Sequence, residues 1–275
     1  MPVSEYHLYR IKFIKPAQRK LFPPELSASE IFKDALSEKP TMELRQNNVW
    51  HIGNIKYFNN LTGVFAIGRT TKTTIEKYDD LTGNFVEGQD DSSPYTFVIF
   101  DRSIGLIGIA KKTKVAPKTE AIARRIKGLF EKTNVVIEHD VEVRVDLIPD
   151  PKNFIEKIRS AYAIKRFKAH FTGPNPVDAD ELFQKPLSVY CQQMAGEQGT
   201  VEVVGNSLNE ETVEVVAKST ASTGNTASAK IQTKRGSKPI SVSLRGDVVK
   251  VTVKENQSEQ EILEDIQATY YEVRE

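Results

Sequence analysis

The sequence predicts an α+β protein in which mixed, largely antiparallel sheets built from hairpins are interleaved with single helices. Two pairs of apolar alternations flank short polar turns at residues 59–63 and 101–103, a pattern that is typical of β-hairpins. Other segments repeat their apolar residues with a period of about 3.6 and indicate helices. Hairpins require antiparallel pairing, which argues against a doubly wound parallel sheet and fits two split β-α-β-like units.

The first elements are a strand and a capped helix. EYHLYRIKFI, residues 5–14, alternates apolar and polar side chains, and we expect it to form a strand. The following helix begins near Ser27, because Ser27 and Glu30 have the spacing of a capping box. Between the two hairpins, residues 70–93 are rich in Asp, Thr and Gly, and they predict a loop or an excursion of the chain.

The middle of the chain predicts two helices and two strands. An apolar period of 3.6 indicates a helix over residues 117–134, and alternation over residues 135–148 then indicates a strand. Asp150 before Pro151 marks the start of another helix. A second strand follows at residues 163–172. In this strand Phe167, Ala169 and Phe171 are expected to face the core, while Arg166, Lys168 and His170 face outward.

A glycine and two prolines, Gly173, Pro174 and Pro176, end that strand. They predict a boundary between an N-terminal α+β domain, residues 1–173, and a C-terminal α+β domain, residues 174–275. The expected elements of the second domain are a helix over 178–194, a strand at 201–204, a helix capped by Ser207, three strands within 227–254 of which the last two form a hairpin at 245–247, and a helix over 259–267.

Composition indicates an ordinary globular protein. The chain has 275 residues, of which 39% are hydrophobic and 27% charged, and this balance argues against disorder or a fibre. Residues 1–14 contain no apolar run long enough for a signal peptide, and no later stretch approaches the ~18 apolar residues of a membrane helix. A single cysteine, Cys191, excludes an internal disulfide and fits a reducing compartment. We therefore expect a cytoplasmic protein without membrane contact.

Charge is distributed unevenly along the chain, although the net charge is only +1. Residues 102–170 contain 16 Lys and Arg against 8 Asp and Glu, whereas residues 171–275 contain 10 against 16. Within the acidic end, residues 228–254 are basic again. This distribution predicts local basic surfaces rather than a uniformly charged protein.

No sequence motif indicates nucleotide or metal chemistry. GVFAIGRT, residues 63–70, has the glycine spacing of a phosphate loop, but Arg69 stands where that loop requires Lys followed by Ser or Thr. The four histidines are not paired at metal-ligand spacing. We expect no cofactor, no metal and no catalytic residue, so the protein is predicted not to be an enzyme.

One catalytic alternative stays open. Metal-dependent nucleases require clustered carboxylates, commonly with a nearby lysine. Glu142 and Asp146 share one face of a predicted strand, and Gln232 precedes Lys234 by two residues. A nuclease therefore remains an alternative.

Basic segments supply the main functional hypothesis. KKTK, residues 111–114, and the strand at residues 166–170 have no acid near them in the sequence. Cations also alternate over residues 230–234 and 250–254, and we expect these two strands to lie side by side with their cations on one sheet face. Such a cationic surface is suited to phosphates. The predicted nucleic-acid contacts are Lys111, Lys112, Lys114, Arg166, Lys168, His170, Lys230, Lys234, Arg235, Lys250 and Lys254.

Three segments in order, NNLTGVFAIGR, SPYTFVIFD and FKAHFTGPNP, resemble uncharacterised bacterial proteins found among phage-defence genes. The resemblance spans about residues 48–176, implies a cytoplasmic antiviral component and assigns no functional residue. We therefore expect a non-enzymatic protein that binds DNA or RNA as a component of a bacterial antiviral defence system. The alternatives are a protein-binding subunit of a larger complex and a metal-dependent nuclease.

Overall fold

The computed structural model describes residues 5–15, 26–45, 48–172, 181 and 183–275. Within these ranges the chain forms seven helices and thirteen strands, and every strand pair is antiparallel, which confirms the α+β class. The helices are α1 (Ala28–Ser37), α2 (Thr119–Phe130), α3 (Asn134–Glu138), α4 (Lys152–Arg159), α5 (Gln184–Gln193), α6 (Glu210–Ser222) and α7 (Glu259–Arg274). The strands are β1 (Glu5–Ile14), β2 (Thr41–Arg45), β3 (Asn48–Tyr57), β4 (Thr62–Asp79), β5 (Asn84–Ser92), β6 (Tyr95–Asp101), β7 (Leu106–Ala110), β8 (Glu142–Leu147), β9 (Ala163–Thr172), β10 (Gln198–Val204), β11 (Ala227–Gln232), β12 (Ile240–Ser243) and β13 (Lys250–Thr252).

The larger sheet has nine strands. Its main path is β13-β1-β7-β6-β4-β3-β2, and in addition β8 pairs with β1 and β5 pairs with β4. Helices α1, α2 and α3 cover one face, where Phe32 of α1 makes edge-on ring contacts with Phe13 and Phe100. The predicted capping box of α1 is confirmed, since the Glu30 backbone N–H donates to Ser27 Oγ and the Ser27 N–H donates to the Glu30 carboxylate.

A layer of three helices, α4, α6 and α7, lies against the other face of the larger sheet. One hydrophobic cluster joins Leu8 and Ile99 of that sheet to Ala217 of α6 and to Phe167 and Ala229 of the smaller sheet. Helix α7 contacts β1, β6 and β13, and α6 contacts β9 and β11. The helix layer therefore lies between two sheets and buries apolar side chains on both of its sides.

The smaller sheet has four strands in the order β10-β9-β11-β12. Phe167, Ala169 and Phe171 of β9 are buried, as predicted, and Ala229 and Ile231 of β11 are buried beside them. Because side chains alternate across a strand, the intervening residues face away from the helix layer.

The two predicted domains are interlocked in the structure. The predicted boundary at residue 173 separates β9 from β10, yet β10 pairs with β9 along the whole length of β10, from Thr172↔Gln198 to Arg166↔Val204. Residues 173–180, which contain the glycine and the prolines of the predicted boundary, lie outside the described ranges. Strand β13 then returns to the larger sheet. Each predicted half therefore contributes strands to both sheets.

The prediction of a hairpin at residues 245–247 is wrong. Strand β12 pairs with β11 in the smaller sheet, whereas β13 pairs with β1 in the larger one. The connecting segment crosses between the sheets, and there the Asp150 N–H donates to the Asp247 carbonyl at 2.8 Å. Apolar alternation identified both strands, but their partners depend on distant parts of the chain.

Residues 70–93 form an excursion between the hairpins rather than a loop, and it is largely a two-stranded ribbon, because β4 continues to Asp79 and β5 returns from Asn84. Two local expectations need correction. The strand predicted from residue 135 starts only at Glu142, and helix α3 precedes it. The N-cap of α6 is Asn209 rather than Ser207, since the Asn209 side chain accepts from the Thr212 N–H.

Candidate nucleic-acid interface

Side chains at alternate positions of the four strands β10, β9, β11 and β12 form one surface that faces away from the helix layer. The register places Lys168 between Glu202 of β10 and Ser228 of β11, so the side chains of this surface are cross-strand neighbours. All of them are exposed or half-buried. We call this surface the open face, and its residues are Thr200, Glu202, Val204, Arg166, Lys168, His170, Ser228, Lys230, Ser241 and Ser243, with Arg245 just beyond the end of β12.

Cations outnumber acids on the open face. It carries four positive side chains and one carboxylate, Glu202, which accepts a hydrogen bond from Arg166 Nη2 at 2.6 Å. The remaining cations are Lys168, Lys230 and Arg245, and the described residues provide no ion pair for any of them. Arg166 and Lys230 are also direct cross-strand neighbours, and like charges in that position repel each other. An anion bound at the open face would remove this repulsion.

His170 lies at one end of the open face. Its Nδ1 is 3.1 Å from the Thr200 hydroxyl oxygen on the neighbouring strand. Burial, and then the positive charges of Lys168 and Arg245, lower the pKa of His170 from its ordinary value. The imidazole is therefore neutral at pH 7, and it becomes a further cation only on acidification.

Arg245 was absent from the predicted contacts, although it belongs to the open face. The Leu244 N–H donates to the Ala227 carbonyl, which extends the β11–β12 register by one residue and directs the next side chain outward. The signal was present in the alternation of Ser241, Ser243 and Arg245. It was overlooked because residues 245–247 were interpreted as a hairpin turn.

Hydroxyl groups lie between the cations of the open face. Thr200, Ser228, Ser241 and Ser243 can each donate a hydrogen bond to a phosphate oxygen. The described open face has no Phe, Tyr or Trp side chain, and its one aromatic ring is the imidazole of His170, so it offers little surface on which bases could stack. Its chemistry favours the sugar-phosphate backbone over the bases.

Two further predicted contacts, Lys234 and Arg235, lie in the turn that joins β11 to β12. Both are exposed. The turn is closed by Ser237, whose hydroxyl donates to the Lys234 carbonyl at 2.8 Å. Gln232, which had been grouped with Lys234, donates instead to the Ser237 carbonyl and supports the turn. Lys234 and Arg235 therefore adjoin the end of the open face that carries Lys230.

Lys250 and Lys254 do not lie beside β11, so the predicted pairing of these two basic strands is wrong. Lys250 is opposite His7 in the larger sheet, and its Nζ is 3.5 Å from a carboxylate oxygen of Glu5. Lys254 follows β13 and is exposed. The crossing of the chain at residues 245–247 carries both lysines away from the open face.

The KKTK segment also lies on the larger sheet. Lys111 Nζ is 3.6 Å from Glu5, so an acid is close to this segment in space although none is close in the sequence. Lys112 Nζ lies 4.8 Å from the centre of the Tyr95 ring, and Lys114 is exposed. Burial raises the pKa of Glu5, but the surrounding positive charges outweigh burial and hold that pKa below its ordinary value. Glu5 therefore neutralises part of the charge of Lys111, whereas no ion pair of Lys112 or Lys114 occurs in the described part of the chain.

The two carboxylates of the nuclease alternative are both engaged with cations. Arg144 donates to both oxygens of Glu142, at 2.6 and 2.9 Å. Asp146 Oδ2 is 3.1 Å from Nζ of Lys12, whose side chain is 4% exposed. Burial lowers the pKa of Lys12, and Asp146 opposes that effect. Within the described ranges, His, Cys, Asp and Glu side chains form no group of three or more that could hold a metal ion.

A family model described as a domain of unknown function, DUF4747, matches residues 28–269, which is most of the chain. A comparison with curated proteins gave no match. No helix in the described parts of the chain has both the length and the apolar character that a membrane crossing requires.

The ion pair between Lys12 and Asp146 generates a stability prediction. Asp146→Asn should destabilise the protein by about 3 to 5 kcal/mol, because it leaves the charge of Lys12 buried without its partner. Lys12→Met should cost less, since the side chain of Asp146 is 32% exposed and can stay hydrated. Chemical denaturation followed by circular dichroism measures the free energy of unfolding of both variants. Equal costs, or no cost for Asp146→Asn, would contradict a structural role for this aspartate.

Proposed function

The chain belongs to the DUF4747 family, and we propose that it binds nucleic acid, without cleaving it, by holding the phosphate backbone against the open face. One observation carries the proposal: Lys168, Lys230 and Arg245 share an exposed sheet surface on which the described residues leave their charges unpaired. Each cation can pair with a phosphate, and the release of counterions from the nucleic acid then drives binding.

The side chains of the open face are spaced regularly, so that they can meet several phosphates in a row. Neighbouring strands lie about 4.8 Å apart, and alternate residues of one strand are about 6.6 Å apart. Lys168 and Lys230 are diagonal neighbours on β9 and β11, so a backbone that crosses the strands obliquely can meet both. Serine hydroxyls on β11 and β12 add donors along that path. Such contacts position a strand but do not specify its bases, so the proposal covers both DNA and RNA.

We place this activity in the bacterial cytoplasm, within an antiviral defence complex. The support is the resemblance of residues 48–176 to proteins found among phage-defence genes. A surface that holds phosphates without reading bases suits that role, because invading nucleic acid has no fixed sequence. Deletion of the gene from its natural host should then increase sensitivity to phage, and unchanged sensitivity would argue against the defence role alone.

The combined change Lys168→Gln, Lys230→Gln and Arg245→Gln tests the interface. If each side chain contacts one phosphate of a single strand, the slope of log affinity against log salt should become shallower by about 2. Affinity at low salt should fall at least about tenfold, while stability changes by no more than about 0.5 kcal/mol per site. Fluorescence anisotropy with labelled single- and double-stranded DNA and RNA measures the slope, and thermal melting measures the stability.

The matched control is Lys33→Gln, Arg124→Gln and Lys132→Gln. These side chains are also two lysines and one arginine, they are exposed, and they lie on or next to the helices that cover the far face of the larger sheet. The control should keep the parental affinity and salt slope. Equal losses in the two triple variants would show that only net charge matters, and absence of binding by the parent at low salt would refute the proposal.

His170 predicts a pH dependence of the same binding. Its pKa is lowered in the free protein, so the imidazole gains its proton only as the pH falls, and a bound phosphate would stabilise the protonated form. Affinity should therefore increase from about pH 7.5 to about pH 5.5. His170→Gln should remove most of that increase and leave the affinity at the higher pH unchanged. A pH response that persists in His170→Gln would assign it to another group.

A further inference from the structure

The ribbon formed by β4 and β5 extends away from the larger sheet. The pairing of β3 with β4 ends at Thr71, and beyond that residue β4 pairs with β5 alone, as far as Asp79↔Asn84. Eight residues of extended strand correspond to a projection of about 27 Å. A two-stranded ribbon is at best marginally stable in water without further packing. The ribbon is therefore a segment that a binding surface would stabilise.

Aromatic side chains are exposed near the tip of the ribbon. Tyr78 and Phe85 are direct cross-strand neighbours, and their rings meet edge-on with centres 5.2 Å apart. These side chains are 53% and 82% exposed, and Leu81 in the turn is 98% exposed. A cluster of exposed large apolar side chains is typical of a contact surface, and aromatic residues often dominate the energy of such contacts.

Two carboxylates adjoin the aromatic pair on the same face of the ribbon. Glu76 and Glu87 are opposite each other, one step along the ladder from Tyr78 and Phe85. Like charges in directly opposite positions are destabilising. Both glutamates are exposed, and no ion pair to either occurs within the described part of the chain. The surface that binds this ribbon should therefore supply cations beside an apolar contact.

The open face offers cations beside an exposed apolar side chain. It presents Lys168 and Lys230, for which the described part of the chain provides no carboxylate partner, and in the row of Lys230 it carries Val204, which is 70% exposed. We propose that the ribbon of one copy of this chain binds the open face of a second copy. Glu76 and Glu87 then neutralise the lysines, while Phe85 covers Val204.

This association uses the cations that we assign to phosphate binding, but it does not depend on that assignment. Carboxylates and phosphates compete for the same side chains, so self-association and nucleic-acid binding should exclude each other. Nucleic acid should then dissociate the assembled protein. The association should also weaken as salt rises, because its charge contacts are exposed.

Charge reversal on each side provides the test. One variant combines Glu76→Lys with Glu87→Lys, and the other combines Lys168→Glu with Lys230→Glu. The mass of each protein is measured by analytical ultracentrifugation over a range of concentrations in the absence of nucleic acid. The parent should associate with increasing concentration, whereas each variant alone should stay monomeric because its ribbon and open face then carry the same sign. An equimolar mixture of the two variants should associate again, because opposite charges then meet.

Three results would overturn the proposal. A parent that is monomeric at every concentration would exclude a second copy as the binding partner of the ribbon. Association that neither variant weakens, or that the mixture does not restore, would exclude this pair of surfaces. Tyr78→Thr with Phe85→Thr provides a variant of unchanged charge, which keeps strand-forming side chains and should also reduce association. Circular dichroism of each variant confirms that a loss of association is not a loss of folding.

Discussion

The helix layer between the two sheets must bury apolar side chains on both of its sides. The arrangement of the smaller sheet and of its polar face follows from this constraint. Helices α4, α6 and α7 share one hydrophobic cluster with residues of both sheets. The smaller sheet therefore has one buried face, lined by residues such as Phe167 and Ala229, and one face that these helices do not cover. Polar and charged residues at the alternate positions of β9 and β11 follow directly from that geometry.

The placement of charge distinguishes the open face from other basic parts of the molecule. Residues 102–170 hold 16 Lys and Arg against 8 Asp and Glu, yet several of these cations have acidic partners in the fold. Lys111 is near Glu5, Arg144 is held by Glu142, and Arg159 makes two hydrogen bonds to Glu214. Glu142 is a neighbour of Arg144 on β8, whereas Glu5 and Glu214 lie on β1 and α6, outside residues 102–170, so the fold brings these two acids to the basic segment. On the open face the described residues provide such a partner, Glu202, for Arg166 alone, which leaves a local excess of positive charge.

The sequence predicted those parts of the fold that depend on local pattern. Alternation located β1, β9 and the buried face of β9, and capping chemistry located the start of α1. Alternation cannot show which strands pair, so the C-terminal strands were joined as a hairpin although β13 belongs with β1. The ribbon was missed for a different reason. Both faces of its outer part are exposed, so its residues carry no apolar alternation and resemble a loop.

In the candidate site, too, local pattern was predictable and the pairing of distant strands was not. Arg166, Lys168, His170 and Lys230 were identified from strand alternation and do share one face. Lys250 and Lys254 were identified by the same reasoning, and Lys111, Lys112 and Lys114 as a basic run without a nearby acid, but all five lie on or beside the larger sheet. Their positions depend on the crossing of the chain between sheets and on the pairing of β1 with β7 and β13. The local sequence indicates neither the crossing nor these strand pairs.

Lysine footprinting tests the central claim, that the open face binds the phosphate backbone, without any substitution. Protein at a concentration where it is monomeric is acetylated briefly with and without saturating single-stranded nucleic acid at low salt, and the modified lysines are quantified by mass spectrometry. We expect Lys168 and Lys230 to become protected while the exposed Lys33 and Lys132 react as before. Equal labelling of all four lysines in the presence of bound nucleic acid would contradict it.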